Sequence, residues 1–229
     1  IISLKGHTSF LKNIPSTAEE TFGLILALVR NFPWAFDDVK KGNWNREIWR
    51  GHQLIHKTLG LVGCGRLGKI MAKYAKAFGM RVIGADPFVD TKTMKRFGIE
   101  KVELPELLKE SDIVSIHVAL EKETHNLIGK KEFSLMKPTA YLVNTARGEI
   151  IDEGALLAVL KNKKLAGAAL DVLWNEVGGE HLKKNPLVEY AKMHNNLLIV
   201  PHLGGATYEA MQVTEDFVAD LLKKELKIK

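Results

Sequence analysis

Three polar clusters in the second half of the chain each follow a short apolar run. Leu142-Val143 leads into Asn144-Thr145-Ala146-Arg147-Gly148. Ala168-Ala169-Leu170 leads into Asp171-Val172-Leu173-Trp174-Asn175-Glu176, and Leu198-Ile199-Val200 into Pro201-His202-Leu203-Gly204-Gly205. An arginine on a glycine-flanked turn can grip a carboxylate with its planar fork. The second cluster supplies two acids, and the third a histidine fixed between a proline and two glycines. One histidine among eight is weak evidence by itself, and Arg147 and Glu176 could equally form an ordinary surface ion pair or a cap. Convergence decides between these readings, because Arg147, Glu176 and His202 each end a separate strand candidate. Most of the other histidines (His7, His52, His125, His181, His194) read as solvated surface residues. His117, which also ends a strand candidate, is a minor candidate for cofactor contact.

The elements that must position these residues are organised around Leu59–Gly68, read as LGLVGCGRLG. A short apolar run meets Gly63-x-Gly65-x-x-Gly68, and apolar residues at 67, 70, 71, 74, 75 and 78 then recur at helical spacing, with Gly79 as a stop. Strand, glycine turn and helix in this order are the context that lifts the motif above a chance match. Gly63 makes the turn, Gly65 lets the backbone approach a pyrophosphate, and Gly68 lets the helix pack on its strand. The helix N-terminus would hold the phosphates. Arg81–Asp86 is a second strand candidate ending on an acid about twenty residues past the glycines, where a carboxylate accepts from ribose hydroxyls. A carboxylate there repels a 2′-phosphate, so NAD is expected over NADP. The plainer alternative is a βα turn followed by an aspartate capping Pro87.

Ser16-Thr17-Ala18-Glu19 reads as a capping box with Ser16 at the N-cap. The helix it opens, Thr17 to about Arg30, is apolar nearly all round and must be buried on more than one side, in a core or a subunit interface. Pro33 is expected to end it. Gly42–Gly51 carries Trp44 and Trp49 in a loop packing on the domain or on a partner subunit. Downstream, helices at Pro105–Lys109, Lys130–Met136, Asp152–Leu160 and Ala206–Lys224 alternate with strands at Asp112–His117, Ala140–Asn144, Ala166–Val172 and Leu197–Val200. Ile1–Leu4 reads as a strand fragment. This alternation predicts an α/β fold, a doubly wound parallel sheet covered on both faces. Ligands in such sheets bind at the carboxyl ends of the strands, the rim that gathers the three polar clusters.

With 229 residues and 46% hydrophobic content, the chain is long enough for one sizeable domain or two small ones. The single cysteine, Cys64, excludes an intrachain disulfide framework and fits a reducing compartment such as the cytoplasm. It reads as a small buried side chain. The longest apolar run, Phe22–Val29, is too short to span a bilayer. A net charge of +6 suits a phosphorylated or carboxylate substrate. The basic residues are spread out apart from Lys223–Lys229, with no aromatic-interleaved stripe, so neither nucleic acid nor membrane is an expected partner.

From Ser16–Glu19 through Lys57–Gly60, Gly63–Gly68, Met136-Lys137-Pro138, Asn144–Gly148 and Asp171–Glu176 to Pro201–Gly205, the sequence resembles the D-isomer-specific 2-hydroxyacid dehydrogenases. The resemblance implies hydride transfer between NAD and C2 of a 2-hydroxy or 2-oxo acid of the phosphoglycerate, glyoxylate, hydroxypyruvate or lactate type. It implies a catalytic set of Arg147 for the substrate carboxylate, His202 as acid and base, and Glu176 to orient the histidine. Cofactor contacts would come from Gly63, Gly65, Arg66, Leu67, Gly68, Asp86, Thr145, Ala146, Asp171, Gly204 and Gly205, with Asp171 facing the nicotinamide carboxamide. It also implies a homodimer, and it divides the chain into the end of a largely absent substrate domain (1–15), a Rossmann domain (16–205) and a returning helix (206–229). An NAD(H)-sensing interaction protein of co-repressor type, or an NAD-binding fragment without turnover, are the alternative readings. The family usually has proline where Ala119 stands and glycine where His56 stands.

Overall fold

The computed structural model describes residues 4, 6–176 and 179–227. The expected strand at Ile1–Leu4 lies largely outside the described residues, as does the end of the basic clump, Ile228 and Lys229. The chain enters through a one-turn helix, α1 (Thr8–Leu11), and a long one, α2 (Ser16–Val29). The capping box does not form. Pro15 already has helical dihedrals and its carbonyl accepts from Ala18 and Glu19, so Pro15 is the N-cap and Ser16 is the first helical residue. Nor does Pro33 stop this helix. It ends at Val29, Asn31 turns the chain in the left-handed region, and Pro33 sits in the first turn of α3 (Phe32–Lys40). Proline is suited to a first turn, whose N–H groups need no intrahelical acceptor. The segment after α3 stays a loop. Trp49 donates its indole N–H to Asp38 (2.9 Å), while Trp44 is 90% exposed.

The rest is a doubly wound sheet. In order come β1 (Thr58–Val62), α4 (Arg66–Ala77), β2 (Arg81–Ala85), α5 (Thr91–Arg96), β3 (Glu100–Lys101), α6 (Leu104–Glu110), β4 (Ile113–Ile116), α7 (Lys130–Leu135), β5 (Tyr141–Asn144), α8 (Glu153–Lys161), β6 (Gly167–Leu170), α9 (Pro186–Ala191), β7 (Leu197–Ile199) and α10 (Tyr208–Leu226). All strand pairs are parallel, in the order β3-β2-β1-β4-β5-β6-β7. Asp152 caps α8 through Ala155 N–H (2.8 Å), and Thr207 caps α10 through Ala210 N–H (3.1 Å). Helices α5 and α9 and the two-residue edge strand β3 carry no apolar periodicity long enough to read from sequence.

Successive strand residues point to opposite faces, and each face has its own core. Leu59, Leu61, Val82, Val143 and Ala169 pack under α2 and α4 with Phe22, Ile25, Leu28 and Met71. Val62, Ile83, Val114, Ile116, Leu142 and Leu170 pack under α6 to α9 with Leu107, Phe133, Leu156 and Tyr190. The nearly all-apolar sequence of α2 is thus explained by burial: Ala18, Thr21, Phe22, Leu24, Ile25, Leu28 and Val29 are all buried. The sheet order reverses between β1 and β4, so a crevice opens where Gly63 and His117 leave the sheet, the usual ligand position in such folds. Helix α10 buries only Ala210, and its Phe217 stacks on Phe10 (3.8 Å) and meets the edge of His7, which is half-buried here and not a free surface histidine. The side chain of His181 lies outside the described residues, His52 and His125 are exposed, and exposed His194 stacks on Tyr190.

Candidate active site

The glycine turn has the close packing that its sequence predicts. Gly63 has φ +95°, and a Cβ on it would stand 2.8 Å from the His117 carbonyl. A Cβ on Gly68 would stand 2.4 Å from the Gly63 oxygen. Around Gly65 the reverse holds: a Cβ there meets nothing within 4 Å. Gly65 is also the N-cap of α4, and no side chain caps that end. Free N–H groups facing open space beside a close-packed turn fit a pyrophosphate. Asp86 is tied to this turn, with one oxygen accepting from Cys64 N–H (2.8 Å) and the other from Phe88 N–H (2.8 Å) and Val89 N–H (3.1 Å). It therefore caps its own loop and joins the glycine turn at once. Cys64 is buried, and burial with the nearby Asp86 pushes its thiol up to about 12, which makes it inert. Arg66 turns elsewhere, donating to the carbonyls of Leu11 (3.0 Å) and Ile14 (2.6 Å).

The other rim residues are fixed by backbone. The buried Asn144 accepts from Ala146 N–H (3.0 Å) and donates to the Arg147 carbonyl (2.8 Å). Trp174 donates its indole N–H to Gly148 and Ile151 (3.0 Å each), and a Cβ on Gly148 would stand 2.2 Å from Leu173. The Arg147 backbone is therefore held between the loops after β5 and β6, while its guanidinium is exposed and reaches only the adjacent Ala146 carbonyl (2.6 Å). Among the described residues it makes no ion pair with Glu176. Asp171, 1% exposed, accepts from Leu203 N–H and from Gly204 N–H (3.0 Å). His202 donates its backbone N–H to the Asp171 carbonyl (2.9 Å) and has φ +53°, an uncommon left-handed conformation for a histidine. Its Nδ1 is paired with Glu176 Oε1, and Glu176 Oε2 accepts from Leu173 N–H (3.0 Å).

Helix α2 supports this rim from beneath, which the sequence did not suggest. Thr17 donates to the Gly204 carbonyl (2.9 Å), and Thr21 shares a hydrogen bond with Thr145 (2.7 Å). Glu20, between them, has both carboxyl oxygens buried, and among the described residues no group donates to them. The only sequence signal for these residues is a polar i, i+3, i+4 stripe, Thr17, Glu20 and Thr21, on a helix that is otherwise apolar. His117 is a second unusual group. Its Nε2 pairs with Ser115 (2.8 Å), its Nδ1 is buried without a partner, and burial lowers its pKa to about 4.

These residues enclose a cleft of about 640 Å³. Leu67, Thr145, Ala146, Arg147, Asp171, His202, Gly204 and Gly205 of the predicted set line it, together with Thr17, Ile116 and the segment 117–121. Glu176 stands behind His202, and Gly63, Gly65, Gly68, Asp86 and Arg66 lie outside the lining, at or beyond the glycine turn. The arrangement can hold an extended anion along the turn, and it brings an imidazole and a guanidinium to the same cleft.

Residues 22–204 match the family model described as the D-isomer specific 2-hydroxyacid dehydrogenase, NAD binding domain. D-3-phosphoglycerate dehydrogenase of Methanocaldococcus jannaschii is 42% identical over 213 residues, 93% of this chain and 39% of that protein. Glyoxylate reductase of Thermococcus litoralis is 40% identical over 212 residues, 89% of this chain and 61% of that protein. The chain thus spans less than two thirds of the length of either. In fold it is similar to D-lactate dehydrogenase from Aquifex aeolicus complexed with NAD and lactic acid. The TM-score is 0.85 at 34% identity, covering 96% of this chain and 68% of that one. With its sheet order, glycine turn and rim residues, this chain belongs to the D-isomer-specific 2-hydroxyacid dehydrogenase family and carries that family's NAD binding domain.

Proposed function

We propose that this chain is the cofactor-binding part of an NAD-dependent oxidoreductase that interconverts a D-2-hydroxy acid and its 2-oxo acid. The observation that carries the reading is the His202–Glu176 pair, whose imidazole lines the same cleft as Arg147 and Asp171. Bound NAD would supply the hydride acceptor and donor. It would lie along the glycine turn, with its ribose hydroxyls at Asp86 and its nicotinamide carboxamide at Asp171. Arg147 binds the substrate carboxylate and polarises the C2 oxygen. His202 takes the hydroxyl proton on Nε2 during oxidation and returns it during reduction. Glu176, on Nδ1, fixes the tautomer that leaves Nε2 free and stabilises the imidazolium. The protein supplies placement and charge, and the cofactor the redox chemistry. Substrates of the phosphoglycerate, glyoxylate, hydroxypyruvate or lactate type suit the arginine and the positive net charge.

A homodimer is part of this reading. Phe32, Phe36 and Val39 on α3, with Trp44 and Ile48 in the following loop, leave a continuous stretch of chain with large apolar side chains exposed, of the kind that marks an interface. A reducing compartment such as the cytoplasm suits the lone buried thiol. Among the described residues, no helix is long and apolar enough to cross a membrane.

Calorimetric titration of the chain with NAD and NADP, with Asp86→Ala alongside, tests the cofactor assignment. NAD is expected to bind preferentially and to weaken about tenfold in the variant, the size of a lost charge-assisted hydrogen bond. Equal binding of both nucleotides by the wild type would sink the role given to Asp86.

A further inference from the structure

The proposed mechanism leaves one buried acid unused. Among the described residues, no group donates a hydrogen bond to either carboxyl oxygen of Glu20, and both are shut off from solvent, a costly arrangement for an ionised group. The point where a Cβ on Gly204 would stand lies 2.9 Å from Glu20 Oε2 and 3.1 Å from Asp171 Oδ2. The absence of that side chain leaves room for two carboxyls to converge. Among the described residues, neither acid has a basic side chain at ion-pair distance. Asp171 receives two backbone N–H donors and Glu20 none. Two buried carboxyls this close do not both stay ionised, and the proton goes to the one with fewer donors. Burial, followed by the hydrogen bond that a protonated Glu20 gives Asp171 and by the charge of Asp171, pushes Glu20 up to about 8.

We propose that Glu20 is the protonated member of a monoanionic carboxyl pair with Asp171, and that it is a positioning residue whose proton answers to the oxidation state of the nicotinamide. The proposal rests on the reading that the nicotinamide lies at Asp171. An oxidised ring carries a positive charge and a reduced ring none. A cation against the pair favours release of the Glu20 proton to solvent, leaving two carboxylates, and a neutral ring does not. Arg147 and His202 line the cleft with Asp171, Arg66 on the packed helix α4 is turned to Leu11 and Ile14, and Glu19 is exposed. Among the described residues, Asp171 is the charged group whose approach raises Glu20.

The test is calorimetric titration of the chain with NAD⁺ and with NADH, each in two buffers of different ionisation enthalpy, which counts protons released on binding. At about pH 7, NAD⁺ is expected to release a proton from the wild-type protein and NADH none. Between about pH 7 and about pH 9, the affinity for NAD⁺ relative to NADH should rise roughly threefold to tenfold. Glu20→Gln, neutral at every pH, should lose both effects, and any contribution of His202 is common to the two proteins and drops out of the comparison. Carboxyl ¹³C NMR of the nucleotide-free chain adds a second readout: one glutamate resonance should titrate near pH 8 and be absent from Glu20→Gln. Proton release that persists in the variant, or no glutamate titrating above the ordinary range, overturns the proposal while the cofactor reading stands. Failure of either nucleotide to bind at any pH overturns both.

Discussion

Nδ1 of His202 is paired with Oε1 of Glu176, and the other oxygen of that carboxylate is anchored on the backbone N–H of Leu173. One carboxylate thus fixes an imidazole that follows β7 to a loop that follows β6. Glu176→Gln keeps the size and can keep the Leu173 bond, but it can present an amide N–H to Nδ1. That favours the tautomer with a hydrogen on Nε2, which cannot accept a proton. Turnover by the whole protein is expected to fall by about 10²- to 10⁴-fold, with NAD affinity of this chain unchanged by calorimetry. His202→Ala should behave alike. Loss of NAD binding in either variant would show that the pair supports the cofactor and not the proton transfer.

The glycines of the turn separate into two kinds. At Gly68 a methyl group would collide with a backbone oxygen at 2.4 Å, and at Gly65 it would enter open space. Gly68→Ala is therefore expected to destabilise the fold by about 1–3 kcal/mol, through overpacking against rigid backbone. Gly65→Ala should melt within about 2 °C of the wild type and still bind NAD at least tenfold more weakly, because its methyl takes space proposed for the pyrophosphate. Thermal melts and calorimetry on the two variants separate the roles. Equal destabilisation would mean that Gly65 is structural.

His56 has φ +63° just before Lys57, at a position where the family usually carries glycine. A side chain with a Cβ is strained in that region and glycine is not. His56→Gly is expected to gain up to about 1 kcal/mol and raise Tm by a few degrees. The hydrogen bond from its N–H to the Gly79 carbonyl (3.0 Å) is available to either residue. A lower Tm would show that the His56 ring contributes more than the strain costs.

Acid stability should report on His117. Its folded pKa, lowered by burial to about 4 from the usual 6.5, means that the unfolded chain binds more protons between those values. Its contribution is fully present above about pH 6.5 and is lost as the pH falls toward 4. His117→Gln, which cannot take up the proton, should therefore lose about 1–2 kcal/mol less than the wild type between about pH 7 and about pH 5. Urea melts at the two pH values measure the difference, and equal losses would mean that His117 stays solvated in the folded protein.

The proposed dimer has its own check. Phe36→Asp places a charge at the 66% exposed aromatic of α3 and should leave a monomer in sedimentation, with a native melt.

What the sequence revealed and what it hid follow from how local each signal is. Leu59–Gly68 names its own conformation, because the positive φ of Gly63 and the approach of Gly68 to the Gly63 oxygen are set within a few residues, and the apolar–polar alternation that follows is long enough to specify a parallel sheet. The rim residues stood out in the sequence because Arg147, Glu176 and His202 each follow an apolar strand within a short loop. The capping box at Ser16 misled because Pro15 completes the helix start with its own backbone, so the serine is not needed as a cap. Pro33 misled because a proline that stops one helix and a proline that begins the next look alike when a single turn separates them. Glu20 was hidden for a different reason. Its surroundings are assembled from loops more than 150 residues away, and nothing in its neighbours announces that it faces Asp171.

The threonines of α2 carry a mechanical consequence. Thr17 reaches the loop after β7 and Thr21 the loop after β5, while Glu20 leans on the loop after β6. Three separate loops thus rest on two successive turns of one helix, as planks rest on a single joist. A tilt of that helix cannot move the arginine, the aspartate or the histidine alone. It bears on the three loops together, so the support of each is shared with the others.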